Sequence, residues 1–190
     1  MRIIGGRARG LHLAPVGDGD ATAHLRPTSD RVREAIFNLL INGKVAQSGD
    51  PVTGARVLDL FAGTGALGLE ALSRGAAHAT FVDDGRVARA LIKRNIDLMR
   101  AGDAAVYLAA NATALPPNRG PAFDLVFLDP PYAKALGEAA LASCSVGKWL
   151  APGALLVWED SKAPVVPLDF TQIDQRRYGD TVVTLIRAPQ

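Results

Sequence analysis

Asp129-Pro130-Pro131-Tyr132 closes an apolar run, Phe123-Asp-Leu-Val-Phe-Leu128. Such a run reads as a buried strand that delivers a carboxylate at its carboxyl end. The two prolines fix a turn, because each ring locks φ and removes a backbone N–H. The turn presents the Pro130 carbonyl and sets Tyr132 beside it. A carboxylate and a carbonyl can accept both hydrogens of one planar NH2 group, while the ring stacks on the plane that carries it. These are the requirements for methylating the exocyclic amine of a nucleobase. Asp129, Pro130 and Tyr132 are therefore the expected catalytic groups.

A second constellation lies upstream. Val57-Leu-Asp-Leu-Phe-Ala-Gly-Thr-Gly-Ala-Leu-Gly68 reads as a strand, a Gly-rich turn and a helix start. Gly63 and Gly65 let the backbone approach a ligand closely. Gly63 to Gly68 also matches the G-x-G-x-x-G fingerprint of dinucleotide binding, and Asp83 ends the next strand, where a ribose-binding acid belongs. NAD is thus one reading of the loop. Two features favour S-adenosylmethionine instead. Asp59 precedes the turn, where its charge opposes a pyrophosphate and suits a sulfonium cofactor. Asp129-Pro-Pro-Tyr132 lies at the same carboxyl edge, where a second substrate would meet the cofactor. Asp83 is expected to take the ribose hydroxyls and Asp84 to be solvated. Asn111 follows the third strand, where an amide could pair with an adenine edge. The expected cofactor contacts are Asp59, Phe61, Gly63, Gly65, Asp83, Asn111, Ala112 and Asp129.

The elements that must position these groups alternate from Arg56 onward. Strands are expected at Val57–Leu60, Ala79–Asp83, Ala105–Leu108, Phe123–Leu128 and Ala154–Glu159. Helices are expected at Ala66–Ser73, Arg86–Met99 and Leu136–Ser143. Two further strand-like runs, Phe170–Tyr178 and Thr181–Ile186, flank the hairpin signal Gly179-Asp180. The reading is an α/β, Rossmann-like methyltransferase fold: a mostly parallel seven-stranded sheet ending in an antiparallel hairpin. Upstream, residues 1–13 read as a Gly-hinged pair of short strands, and Gly17 to Ala23 as a polar, flexible stretch. Thr28, Ser29 and Asp30 are all good helix caps. Val32, Ala35, Ile36, Leu39 and Leu40 follow as one apolar helical stripe that stops at Asn42-Gly43. Residues 1–28 are read as a small appendage and 29–190 as the catalytic core of one domain.

Composition narrows the function classes. The chain has 190 residues, 48% of them hydrophobic, so one domain with a sizeable core is expected. Its 21 basic and 19 acidic residues nearly cancel, so any nucleic-acid surface must be local. Aromatics are 6%, too few for an aromatic-interleaved RNA-binding sheet. The single cysteine, Cys144, excludes an intrachain disulfide and a multi-cysteine metal site. His12, His24 and His78 show no metal-ligand spacing, so no metal is expected. No signal peptide and no membrane-spanning run is read, which makes a reducing cytoplasm the expected location. No heptad pattern is visible, and a monomer is expected.

The segments Arg2-Ile-Ile-Gly-Gly6, Arg26-Pro-Thr-Ser-Asp-Arg-Val-Arg-Glu34, Asp59-Leu-Phe-Ala-Gly-Thr-Gly65, Glu70-Ala-Leu-Ser-Arg-Gly75, Asp129-Pro-Pro-Tyr132 and Arg177-Tyr-Gly-Asp180 together resemble the RsmD family. The resemblance spans essentially the whole chain, and its N-terminal blocks are the specific part. It implies transfer of a methyl group from S-adenosylmethionine to N2 of one guanosine in small-subunit (16S) ribosomal RNA, on a partly assembled 30S particle. The chain departs from the family at Asp83-Asp84-Gly85, where a basic residue usually follows the acid, and at Asn111, where Asp is usual. RNA contacts are expected from Arg2, Arg7 and Arg9, with Arg26, Arg31 and Arg33 near the cofactor cleft. Two other functions share these features. A DNA adenine-N6 methyltransferase can use the same turn, although no insertion here is long enough for a DNA-recognition domain. A non-catalytic RNA-binding or assembly protein could keep the fold, although both motifs are intact.

Overall fold

The structure, a computed structural model, describes residues 1–16, 28–131 and 136–190. Its elements are α1 (Asp30–Asn42), β1 (Arg56–Leu60), α2 (Ala66–Ser73), β2 (His78–Val82), α3 (Arg86–Met99), β3 (Ala105–Leu108), β4 (Phe123–Leu128), α4 (Leu136–Val146), β5 (Leu150–Asp160), β6 (Thr171–Tyr178) and β7 (Thr181–Arg187). The seven strands form one sheet in the order β3-β2-β1-β4-β5-β7-β6. β1 to β5 run parallel, and β7 enters antiparallel between β5 and β6. The chain winds outward from β1 to β3, then crosses back to β4. That reversal opens a crevice between the carboxyl ends of β1 and β4, where ligands bind in open α/β sheets.

Alternation along β4 shows how the sheet is buried. Leu125 and Phe127 join the core with α1, α2 and α3. Val126 and Leu128 join the core on the other face, with Ala140, Leu141 and Cys144 of α4. A strand covered on both faces must be apolar at successive positions, which is what makes Phe123–Leu128 legible as a buried strand. Phe37 of α1 meets Phe127 with ring centroids 5.7 Å apart. This contact seats α1 over β4, beside the residue that β4 delivers.

Several element ends shift by one to three residues from the sequence reading, and two regions differ by more. Pro152-Gly153 looks like a break before the fifth strand, yet β5 begins at Leu150. Leu150 pairs with Phe123 and Leu155 with Leu125, so an irregularity absorbs the extra residues and carries the strand past the proline. The N-terminal pair of strands is reduced to a single antiparallel bridge, Arg2 with His12. Its turn instead spends its N–H groups on α2. Ile4 and Gly5 donate to the Glu70 carboxylate at 2.8 Å each, Arg7 to the Ser73 carbonyl at 2.8 Å, and Ala8 to Ser73 Oγ at 2.9 Å. Gly6 is required there: its φ is +74°, and a Cβ would lie 1.9 Å from the Ser73 carbonyl oxygen. The stretch Gly17 to Ala23, together with His24, lies outside the described residues.

Candidate active site

β4 ends at Leu128, so Asp129 emerges at the carboxyl edge of the sheet. Leu128 is in register with Trp158 of the parallel neighbour β5. One residue on, Asp129 and Glu159 therefore stand side by side on the opposite face, the face that α1 covers. The Thr28 hydroxyl, at the entry to α1, closes the group. It lies 3.0 Å from Asp129 Oδ2 and 3.5 Å from Glu159 Oε2. Thr28 is not the helix cap, because Ser29 Oγ accepts from Val32 N at 3.2 Å and does that work. Burial pushes the Asp129 carboxyl up to about 7, against the Thr28 hydrogen bond and with the help of nearby Asp160. Glu159 is 3% exposed. Pro130 is buried directly after Asp129. Tyr132 lies outside the described residues.

The Gly-rich turn after β1 occupies the other wall of the crevice. Gly63 and Gly65 adopt φ of +55° and +77°, and Phe61 also takes a left-handed φ, +57°. A non-glycine residue in that region is strained and is held only by its surroundings. Asp59 supplies part of that support. It is 2% exposed, and its Oδ2 accepts from Gly68 N at 2.9 Å, in the first turn of α2. Asp83 supplies more, accepting from Gly63 N at 2.9 Å and from Gly85 N at 2.8 Å. Asp83 is half-buried and Asp84 exposed. Burial raises the Asp59 carboxyl well above its usual range, and the neighbouring Asp129 and Asp83 raise it further. Three carboxylates thus gather at the ends of β1, β2 and β4. Acids gathered this closely disfavour a further anion such as a pyrophosphate, and a sulfonium or ammonium group brought among them would favour their ionised forms, so the residues present suit S-adenosylmethionine rather than NAD.

Asn111 caps the short turn Ala112–Ala114. Its Oδ1 accepts from both the N and Oγ1 of Thr113, at 2.8 Å each. That oxygen is engaged locally, so pairing with an adenine edge falls to the Asn111 NH2 group. Ala112 is buried beside it.

The arginines divide. Arg2, Arg7, Arg9 and Arg31 are exposed. Arg33 corrects the sequence reading, because its side chain is wholly buried. It donates through Nη2 to the Arg2 carbonyl, and at 2.9 Å to Asp30 Oδ1, and lies 3.7 Å from Glu70. Arg31 and Arg33 are two positions apart on a helix and so face nearly opposite ways; only one of them can meet RNA. Arg26 lies outside the described residues.

Sequence reasoning missed the polar groups that fasten the N-terminal hairpin. Glu70 is fully buried and also pairs with Arg74 at 2.8 Å, whose guanidinium lies 4.8 Å from the Phe37 ring centroid. Asn95 of α3 accepts from Ala14 N at 2.7 Å and donates to the Thr64 carbonyl of the Gly-rich turn at 2.8 Å. A signal was present: Glu70 is the lone acid in the apolar helix Ala-Leu-Gly-Leu-Glu-Ala-Leu-Ser, where an unpaired charge could not be buried.

Among known proteins, the family described as "Conserved hypothetical protein 95" matches residues 1–187. The protein named "Ribosomal RNA small subunit methyltransferase D" of Escherichia coli K12 is 39% identical over 188 residues, covering 97% of this chain and 88% of its own length. The protein of the same name from Haemophilus influenzae is 35% identical over 185 residues, covering 94% and 89%. The solved structure of Escherichia coli yhhF superposes with a TM-score of 0.81 at 36% identity, covering 100% of this chain and 98% of that one.

Proposed function

Since this chain belongs to the family described as Conserved hypothetical protein 95, the RsmD family, we propose that it methylates small-subunit ribosomal RNA with S-adenosylmethionine, at N2 of one guanosine. The observation that carries this reading is Asp129: a carboxylate at the carboxyl end of β4, across the topological reversal from a Gly-rich turn walled by acids. The relatives' shared name supports the RNA as substrate. The base, the atom and a partly assembled 30S particle as target are the finer parts of the proposal.

When bound, S-adenosylmethionine supplies a methyl group made electrophilic by its sulfonium. Gly63, Gly65, Phe61, Asp59, Asp83, Asn111 and Ala112 would hold it. The protein's own work is on the amine. The guanine N2 lone pair is delocalised into the ring, which makes it a poor nucleophile. Asp129 and the Pro130 carbonyl accept its two hydrogens and direct the lone pair out of the plane. As the N–C bond forms and the C–S bond breaks, positive charge grows on nitrogen, and the Asp129 carboxylate stabilises it. The methylated amine then sheds one proton. A carboxyl that titrates at about 7 is matched to receive it at neutral pH. Tyr132 would stack on a guanine drawn out of its surroundings. Arg2, Arg7, Arg9 and Arg31 would contact phosphates.

Nucleoside mass spectrometry tests the proposal. The protein and S-adenosylmethionine are incubated with free 16S RNA, partly assembled small subunits, or duplex DNA, all taken from cells lacking this activity. N2-methylguanosine in the RNA or particles is expected. N6-methyladenine in the DNA overturns it, as does an absence of product from protein that still binds S-adenosylhomocysteine.

A further inference from the structure

An Asp-Pro-Pro-Tyr turn recognises an NH2 group on a flat ring, and guanine, adenine and cytosine all carry one. The choice of base must come from a group beside the turn. What separates the bases is the ring position adjacent to the amine: guanine has an N–H at N1, whereas adenine and cytosine have a lone pair there. An acceptor placed beside the amine acceptor would welcome the first and repel the others.

Glu159 stands in that place. It follows Trp158, which is in register with Leu128, so its side chain projects beside that of Asp129 from the neighbouring strand. Parallel neighbours are about 4.8 Å apart at the backbone, close enough for side chains from the two strand ends to converge on one base edge. The Thr28 hydroxyl lies between the two carboxylates, 3.0 Å from Asp129 Oδ2 and 3.5 Å from Glu159 Oε2. Glu159 is also nearly inaccessible, at 3% exposure. A carboxylate has about four acceptor positions, enough for a base edge in addition to partners within the protein.

We infer that Glu159 accepts the N1–H of the target guanine and so sets the preference for guanine over bases whose neighbouring ring nitrogen carries no hydrogen. The inference rests on the guanine-N2 reading above. It assigns the two carboxylates separate duties: Asp129 acts on the amine that reacts, and Glu159 reads the ring beside it. Against adenine or cytosine, the carboxylate would face a lone pair with no hydrogen between them. Leaving buried polar groups unpaired in this way discriminates by factors up to about 10⁴.

The test uses small-subunit RNA carrying guanosine, 1-deazaguanosine or 2-aminopurine at the methylated position. 1-Deazaguanosine keeps the amine and O6 but has a C–H at position 1; 2-aminopurine keeps the amine and has a lone pair there. With wild-type protein, kcat/KM is expected to fall at least tenfold for 1-deazaguanosine and further for 2-aminopurine. In Glu159→Gln, the amide NH2 can donate to the 2-aminopurine lone pair. The preference for guanosine over 2-aminopurine should therefore narrow at least tenfold. Equal losses on both RNAs would show a merely structural role and overturn the inference. Equal wild-type use of guanosine and 1-deazaguanosine overturns it without any variant, should Glu159→Gln fail to fold. No methylation of the guanosine RNA by wild type overturns the methyltransferase reading itself, and this inference with it.

Discussion

In the proposed reaction Asp129 acts as a carboxylate, yet its surroundings favour the neutral form. Its folded-state carboxyl titrates at about 7, against 3.8 ordinarily. The folded protein therefore holds this proton more tightly than the unfolded chain. The associated stability is fully present below about pH 4 and is lost as the pH rises to 7. Asp129→Asn is expected to abolish turnover while raising stability by on the order of 1–2 kcal/mol at pH 8, after allowance for solvent screening. Thermal midpoints of the two proteins should coincide near pH 3.5, diverge by a few degrees up to pH 7, and run level above it. Binding of S-adenosylhomocysteine should change little. Thr28 adjusts the same titration, since its hydroxyl favours the ionised carboxylate. Thr28→Val should move the acid limb of the kcat/KM profile to higher pH by about one unit, and Thr28→Ser should restore it. A profile that falls in height without shifting would mean that Thr28 only supports packing. Asp129 was legible in the sequence because its run, its prolines and its aromatic are contiguous. Its partners were not, because Thr28 and Glu159 meet it only through the packing of α1 and the register of β5.

At the scale of elements, the helix-strand alternation was readable because each parallel strand is apolar on both faces. Beyond that pattern, local cues misled. Pro152-Gly153 reads as a stop but is absorbed by an irregularity in β5. Arg33 looks like its neighbour Arg31 but belongs to the inner face of α1. The burial of Arg33 sets a further expectation. Glu70→Ala would leave that guanidinium, and two hairpin N–H groups, without their carboxylate. A loss of about 3–5 kcal/mol in urea unfolding is expected, with early proteolytic cleavage before residue 14. Pairing Glu70→Leu with Arg33→Met should recover part of the stability but not the protection of the hairpin, which still lacks its acceptor. Unchanged proteolysis in both variants would mean that Ser73, Asn95 and the burial of Ile3 and Leu13 suffice to hold the hairpin without Glu70.

Across the whole molecule, charge is balanced, so RNA affinity must come from where the cations sit. Arg7 and Arg9 lie exposed on the hairpin turn, which rests on Ser73 at the last residue of α2. Replacing both with Ala should weaken RNA binding and reduce the slope of log K against log salt by about two. An unchanged slope would remove them from the RNA interface. The outermost strand, β6, has five charged or amide side chains along Thr171–Tyr178, with an irregularity at Gln172 to Asp174. Both features discourage a second sheet from adding to that edge. The bridge made by Asn95 reaches further. One side chain holds the Ala14 N–H of the N-terminal segment, where RNA contacts are proposed, and the Thr64 carbonyl of the Gly-rich turn, where the cofactor is proposed to bind. Any coupling of ligands through this side chain is reciprocal by thermodynamic necessity. Whatever factor S-adenosylhomocysteine adds to the affinity for RNA, RNA must add to the affinity for S-adenosylhomocysteine. Titrating each in the presence and absence of the other should give one number, and Asn95→Ala should bring it toward one.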